Sequence, residues 1–187
     1  MQIKENISMN IMRLAFGYKF RSGKDTACDF LKSMYRGEIL RIARDVYNCS
    51  EEIQKIINVP VKKDRKLLQF LGDGLREIYG EDIWIDKVCE NIKYMEICGI
   101  DNFYIPDLRY KNEARKLKEL GFILIRIDRT FSSKSSNENH SHRSEIELDD
   151  YEFDHIVSNN GTIEDLKFEL LKLVKVHIYH LSECRTK

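Results

Sequence analysis

One short segment governs what this chain can fold into: Phe16, Gly17, Tyr18, Lys19, Phe20, Arg21, Ser22, Gly23, Lys24, Asp25 and Thr26. The apolar run 11–16 before it reads as a strand, and 26–35 after it reads as a helix. Strand, basic glycine-bearing loop, Gly-Lys, then helix is the context that a phosphate-binding P-loop requires. The first amides of a helix have no intrahelical acceptor, and the helix dipole adds positive potential beside them. Lys24 brings a mobile full charge for terminal phosphates, and Lys19 and Arg21 bring more. The spacing is unusual. One residue more than the common pattern separates Gly17 from Gly23, and Asp25 stands where Ser or Thr usually touches magnesium. The alternative is a basic surface turn that happens to contain Gly-Lys.

Strand and helix signals alternate along the rest of the chain. Strands are expected at 38–42, 102–106, 121–127 and 155–157, and helices at 43–57, 65–79, 82–97, 110–120 and from 164 to about 180. Leu67, Leu68, Leu71, Leu75 and Ile78 recur at helical spacing. Ser50 reads as a cap before Glu51 and Glu52, Gly80 as a helix stop, and Thr162 as the cap of the last helix. Alternating βα units imply an α/β fold with a parallel sheet covered on both faces, and ligands at the carboxyl ends of its strands. No repeat or linker divides the chain, so one domain is expected over 11–181, with a flexible N-terminus at 1–10.

Composition excludes several functions. The 31 basic and 31 acidic residues cancel, which argues against a general nucleic-acid coat. No apolar run approaches the roughly 20 residues of a membrane span. The five cysteines are odd in number and lack C-x-x-C pairing. Read with the absence of a signal peptide, they point to reduced thiols in the cytoplasm.

Two further strand ends carry suitable chemistry. At the first, Asp107 could hold magnesium through water and Arg109 could bind a transferring phosphoryl group. The alternatives are a helix N-cap for Asp107 and a surface ion pair for Arg109. At the second, the Ser-, Asn- and His-rich loop 132–144 lies between Arg129 and Arg143, which suits a lid over 128–145. A disordered surface loop is the alternative there. On the helix 65–79, Arg65, Gln69 and Arg76 are polar positions, and Arg65 and Gln69 share a face. They could grip an acceptor phosphate and base, or form a solvated face.

Five segments, in order, carry a resemblance. They are Arg21-Ser22-Gly23-Lys24-Asp25-Thr26, the helix opening Arg65-Lys66-Leu67-Leu68-Gln69-Phe70-Leu71-Gly72, Ile105-Pro106-Asp107-Leu108-Arg109, His142-Arg143-Ser144-Glu145 with Leu148, and the stretch 154–166. Together they resemble the deoxynucleoside monophosphate kinases of tailed phages and large DNA viruses, P-loop relatives of adenylate and thymidylate kinases. The resemblance implies a three-layer P-loop NTPase fold, a parallel sheet of about five strands with a lid and a helical insertion for the monophosphate. It implies ATP, magnesium and phosphoryl transfer to a (deoxy)nucleoside 5′-monophosphate. Taking the resemblance together with the reading of the residues above, Lys19, Arg21, Ser22, Gly23, Lys24, Asp25 and Thr26 would hold the ATP phosphates. Lys24, Arg109, Arg129 and Arg143 would serve catalysis. Arg65, Gln69, Arg76, Asp107 and Arg109 would bind the monophosphate, and Asp25, Thr26 and Asp107 would hold magnesium directly or through water. The implied partners are small nucleotides in the cytoplasm, host cytoplasm if viral, with neither nucleic acid nor membrane; a homodimer is compatible. One departure is Tyr18, which occupies the register of the family's first glycine. Other readings are a kinase of another small phosphorylated acceptor such as phosphomevalonate, and a catalytically inactive nucleotide-binding module.

Overall fold

A computed structural model of the protein describes residues 11–130 and 142–184, with side chains described as far as 176. The expected flexible N-terminus and most of the expected lid loop lie outside the described residues.

Strand β1 (Arg13–Gly17) runs into helix α1 (Lys24–Tyr35), followed by β2 (Glu38–Ile39), α2 (Arg44–Ile56), α3 (Arg65–Tyr79) and α4 (Ile83–Ile97). Then come β3 (Phe103–Leu108), α5 (Lys111–Glu119), β4 (Ile123–Asp128), α6 (Arg143–Ile146), β5 (His155–Ser158) and α7 (Ile163–Cys184). The five strands form one sheet in the order β2-β3-β1-β4-β5, and every pairing is parallel. All strand carboxyl ends therefore share one edge, where loops carrying the chemistry are brought together.

Alternation along the strands explains two helical layers. Leu14, Phe16, Tyr104, Ile125 and Ile127 pack with Leu31, Leu166 and Leu170 on the face covered by α1 and α7. Ala15, Phe103, Ile105 and Leu124 face the other way, toward Val46, Leu71, Trp84, Ile85 and Leu117 of α2 to α5. Each large side chain removed from water contributes about 1.5–3 kcal/mol. Among the described residues, no helix is long and apolar enough to cross a membrane.

Several local expectations hold. Helix α3 spans Arg65–Tyr79, opened by the Asp64 carboxylate accepting the Leu67 N–H at 3.1 Å and closed at Gly80. Thr162 and Asp165 cap α7 reciprocally: the Asp165 N–H donates to Thr162 Oγ1 and the Thr162 N–H to Asp165 Oδ2. Others are corrected. Ser50 caps nothing; it is buried inside α2, where its hydroxyl accepts from Gln54 Nε2 at 3.1 Å. The strand expected at 38–42 ends at Ile39: the Leu40 N–H still donates to the Tyr104 carbonyl at 2.9 Å, but the Ile42 and Ala43 N–H groups turn to Asp107. Strand β3 runs through Pro106 to Leu108, so Asp107 lies within a strand end rather than after it. The β1–β3 ladder shifts register there, from Ala15 opposite Ile105 to Gly17 opposite Leu108. Proline has no N–H to donate, and a central strand tolerates it where the ladder is irregular.

Candidate active site

The loop between β1 and α1 is shaped by three residues of positive φ: Tyr18 at 89°, Arg21 at 58° and Gly23 at 105°. Tyr18 thus takes up the left-handed conformation that glycine adopts without cost. Its ring is covered by the Arg126 guanidinium, 3.6 Å from carbon to centroid. Arg126 is itself oriented by Asp128, which accepts its Nε–H at 2.7 Å. At Gly23 a side chain would run into the Asn159 amide. That amide donates to the Ser22 carbonyl at 2.7 Å, so the residue that follows β5 fastens the loop.

Gly23 is the N-cap of α1, and no side chain caps the helix's first amides. Lys24 folds back over the loop. Its buried ammonium donates to the carbonyls of Tyr18, at 3.2 Å, and Lys19, and to Ser22 Oγ at 3.2 Å. Burial, and then the positive charge of Arg109, lower its pKa to about 8. Arg109 therefore lies within electrostatic reach of the P-loop lysine. Asp25 is exposed and pairs with Arg41 at 2.6 Å, while Thr26 is half-buried.

Asp107 is not the N-cap of α5. Tyr110 holds that position, and Glu113 reaches back to accept the N–H groups of Arg109 and Tyr110 at 2.9 and 3.1 Å. Asp107 instead accepts the N–H groups of Ile42 and Ala43, both at 3.0 Å, and burial raises its pKa. Arg109 is no loose surface pair either, because its guanidinium meets the buried Glu145.

A cavity of about 170 Å³ opens between α2, α3, the end of β3 and α6. Arg65, Gln69, Arg76, Asp107 and Arg109, the whole set expected to bind the acceptor, line it. Apolar and aromatic groups such as Val46, Tyr47, Leu68 and Phe20 complete its walls. Arg76 is buried; its Nη2 donates to Glu113 at 3.0 Å and its guanidinium covers Tyr110 at 4.0 Å. His142 enters from α6, Nε2 lying 3.0 Å from Asp73.

Other expected residues stand apart from this cavity. Arg143 is turned outward to Glu81, at 3.1 Å, and to Glu147. Arg129 and Arg21 are exposed, and neither lines the cavity. Lys19 donates to the Glu145 carbonyl at 2.6 Å and pairs with Asp149. Glu145, Arg41, Asp73 and Glu113 were not singled out from sequence. Glu145 alone carried a signal, its place in the His-Arg-Ser-Glu segment.

Of the carboxylates expected at magnesium, Asp25 and Asp107 both act electrostatically on Lys24 and Arg41; Asp25 is exposed beside Arg41, whereas both oxygens of Asp107 accept backbone N–H groups. Among the described residues no group of three or more His, Cys, Asp or Glu could hold a metal. Magnesium beside a nucleotide takes one or two carboxylates, the rest being phosphate oxygens and water.

Comparison with known proteins narrows the reading. The family model of deoxynucleotide monophosphate kinase matches residues 42–170, a range that starts beyond the P-loop. "Uncharacterized protein ORF77" of Ictalurid herpesvirus 1 is 31% identical over 155 residues, 80% of this chain. The chain spans only 64% of that relative's length. "Putative deoxynucleotide monophosphate kinase" of Acanthamoeba polyphaga mimivirus is 26% identical over 186 residues, covering 82% of this chain and 91% of its own. The dephospho-CoA kinase of Campylobacter jejuni superposes with a TM-score of 0.54 at 16% identity, over 88% of this chain and 96% of that one. At that identity the likeness is one of fold, a parallel sheet flanked by helices.

Proposed function

The chain belongs to the deoxynucleotide monophosphate kinase family, and from that premise we propose that it transfers the terminal phosphoryl group of ATP to a deoxynucleoside 5′-monophosphate. One observation carries the reading. The five residues expected at the acceptor line one cavity, and Arg109 on its wall is close enough to Lys24 to depress its pKa. Donor and acceptor phosphates would thus meet at Arg109.

In this reading the uncapped amides of α1, with Lys24, bind the β- and γ-phosphates. Lys24 exchanges its loop carbonyls for phosphate oxygens. Arg65 and Arg109 neutralise the acceptor phosphate, and Gln69 meets the base with an amide that both donates and accepts. Magnesium, held near Asp25 and Asp107, would neutralise charge on the phosphate oxygens when bound. Asp107 also keeps the connection after β2 against the site. Catalysis is then positioning and charge neutralisation, with no covalent intermediate. The reading keeps one domain over 11–181 and assigns 128–145 as its lid segment, with Arg129 and Arg143 serving transfer. We place the activity in the cytoplasm, on free nucleotides; a homodimer is compatible.

The test is a product assay with magnesium and ATP against the common deoxy- and ribonucleoside monophosphates, with phosphomevalonate as a control. The reading expects a deoxynucleoside diphosphate from at least one acceptor. Transfer to phosphomevalonate alone would replace it with another kinase, and ATP binding without any transfer would replace it with a binding module.

A further inference from the structure

Four groups from three parts of the molecule converge on Glu145. One oxygen, Oε1, meets Nη1 of Arg109 and lies 3.8 Å from Nη2 of Arg65 on α3. The other, Oε2, accepts the Phe20 N–H of the P-loop at 3.3 Å. Its backbone carbonyl takes the Lys19 ammonium at 2.6 Å. The side chain is 3% exposed. A carboxylate so withdrawn from water needs charged and N–H partners, and here they belong to the donor loop and the acceptor wall.

We infer that Glu145 is a positioning residue that fixes the Arg109 guanidinium between Lys24 and the acceptor cavity. The inference rests on the function proposed above. Arg109 Nη1 is spent on Glu145 and on the Ser144 carbonyl, at 3.3 Å. A guanidinium offers five N–H groups in a rigid fork, so anchoring one nitrogen aims the rest. Among the described residues the remaining nitrogens of Arg109 have no protein partner, and the side chain lines the cavity. An arginine aimed before substrate arrives loses little freedom at the moment of transfer. Glu145 also offsets the charge that Arg109 places beside Lys24. The opposite role, an internal anion that occupies the phosphate site and must leave, fits less well. The same carboxylate holds a P-loop amide, which ATP binding needs in place.

The experiment compares Glu145→Gln and Glu145→Asp with the wild type by two readouts. The first is the ¹H–¹⁵N spectrum of the arginine side chains, with Arg109 assigned through Arg109→Lys. The second is kcat and KM for both nucleotides. In Glu145→Gln the Arg109 signal should move to the position of the exposed arginines. kcat should fall about 10²-fold, the scale of losing near-attack geometry, while KM for ATP stays within about threefold. Glu145→Asp should recover part of both. If Glu145→Gln does not fold, Glu145→Asp alone carries the test through a shifted Arg109 signal and a smaller loss of kcat. An unmoved Arg109 signal overturns the inference, as does tighter monophosphate binding in either variant. Should the wild type transfer nothing to any deoxynucleoside monophosphate, the proposed function fails, and the Arg109 signal still decides whether Glu145 positions it.

Discussion

Asp107 holds Ala43: its Oδ2 accepts the Ala43 N–H at 3.0 Å, while Oδ1 accepts the neighbouring N–H of Ile42 at the same distance. The end of β3 thereby clamps the connection between β2 and α2, and that connection carries Arg41 to Asp25 of the P-loop. Asp107→Ala should destabilise the fold by at least about 2 kcal/mol, since two N–H groups lose their acceptor. Asp107→Asn keeps one acceptor oxygen and should cost less. Urea unfolding of both variants measures this, and an Asp107→Ala protein as stable as wild type would contradict the clamp.

Lys24 should impose an alkaline limit. Its pKa is lowered from 10.5 to about 8 in the folded chain, so the charge is present below that pH and lost above it. kcat/KM for ATP, which reports the free enzyme, should fall as pH rises through about 8. Stability should move the other way. Between 8 and 10.5 the unfolded chain binds more protons, so the contribution of Lys24 to stability rises with pH there. Lys24→Arg should abolish the limb in kcat/KM. A wild-type profile flat to pH 9.5 would sink this.

Tyr18 and Gly23 should respond oppositely to exchange. Tyr18→Gly removes a left-handed non-glycine residue costing about 1–2 kcal/mol, but also loses a stacking partner of Arg126 worth about 0.5–1 kcal/mol. The net change should lie between neutral and about 1.5 kcal/mol stabilising. Gly23→Ala puts a methyl into the Asn159 amide at φ 105°, so it should destabilise and break the loop. Thermal unfolding of the pair is the check; a Gly23→Ala protein that keeps its Tm and its ATP affinity would refute the assignment.

Arg65→Ala and Gln69→Ala should raise KM for the monophosphate and leave ATP affinity nearly unchanged, because uniform acceptor binding is what they remove. Arg65→Ala should weaken all monophosphates alike, whereas Gln69→Ala should alter preference among bases. Steady-state kinetics across the four deoxynucleoside monophosphates decides it. Equal damage to ATP would put both residues on the donor side.

What could be read from sequence was whatever repeats locally. The α3 boundaries follow from an amphipathic period between Asp64 and Gly80, and the P-loop from a strand, two glycines and a lysine within a dozen residues. Ser50 misled because a serine before two glutamates looks like a cap, and nothing local reveals that Gln54 buries its hydroxyl. Pro106 looked like the end of a strand, whereas the sheet absorbs it by shifting register against β1. The role of Glu145, named only within its segment, escaped for a third reason. A glutamate in a polar segment reads as solvated, and its burial depends on Arg109, 36 positions away, and on a P-loop amide 125 positions away. That Arg65, Gln69, Arg76, Asp107 and Arg109 would gather around one cavity was suggested only by the family resemblance, since Arg65, Gln69 and Arg76 are also what a solvated helix face would show.

The central claim, that Lys24 and the acceptor cavity together move a phosphoryl group, meets its most direct test in γ-labelled ATP. Wild-type protein and Lys24→Ala are given labelled ATP, magnesium and a mixture of deoxynucleoside monophosphates, and the label is followed. The account predicts label in a deoxynucleoside diphosphate with wild type, and a rate lower by at least about 10²–10³ with Lys24→Ala, the usual cost of one lost transition-state charge contact. Equal rates in the two proteins, or label released by wild type only as inorganic phosphate, would contradict it.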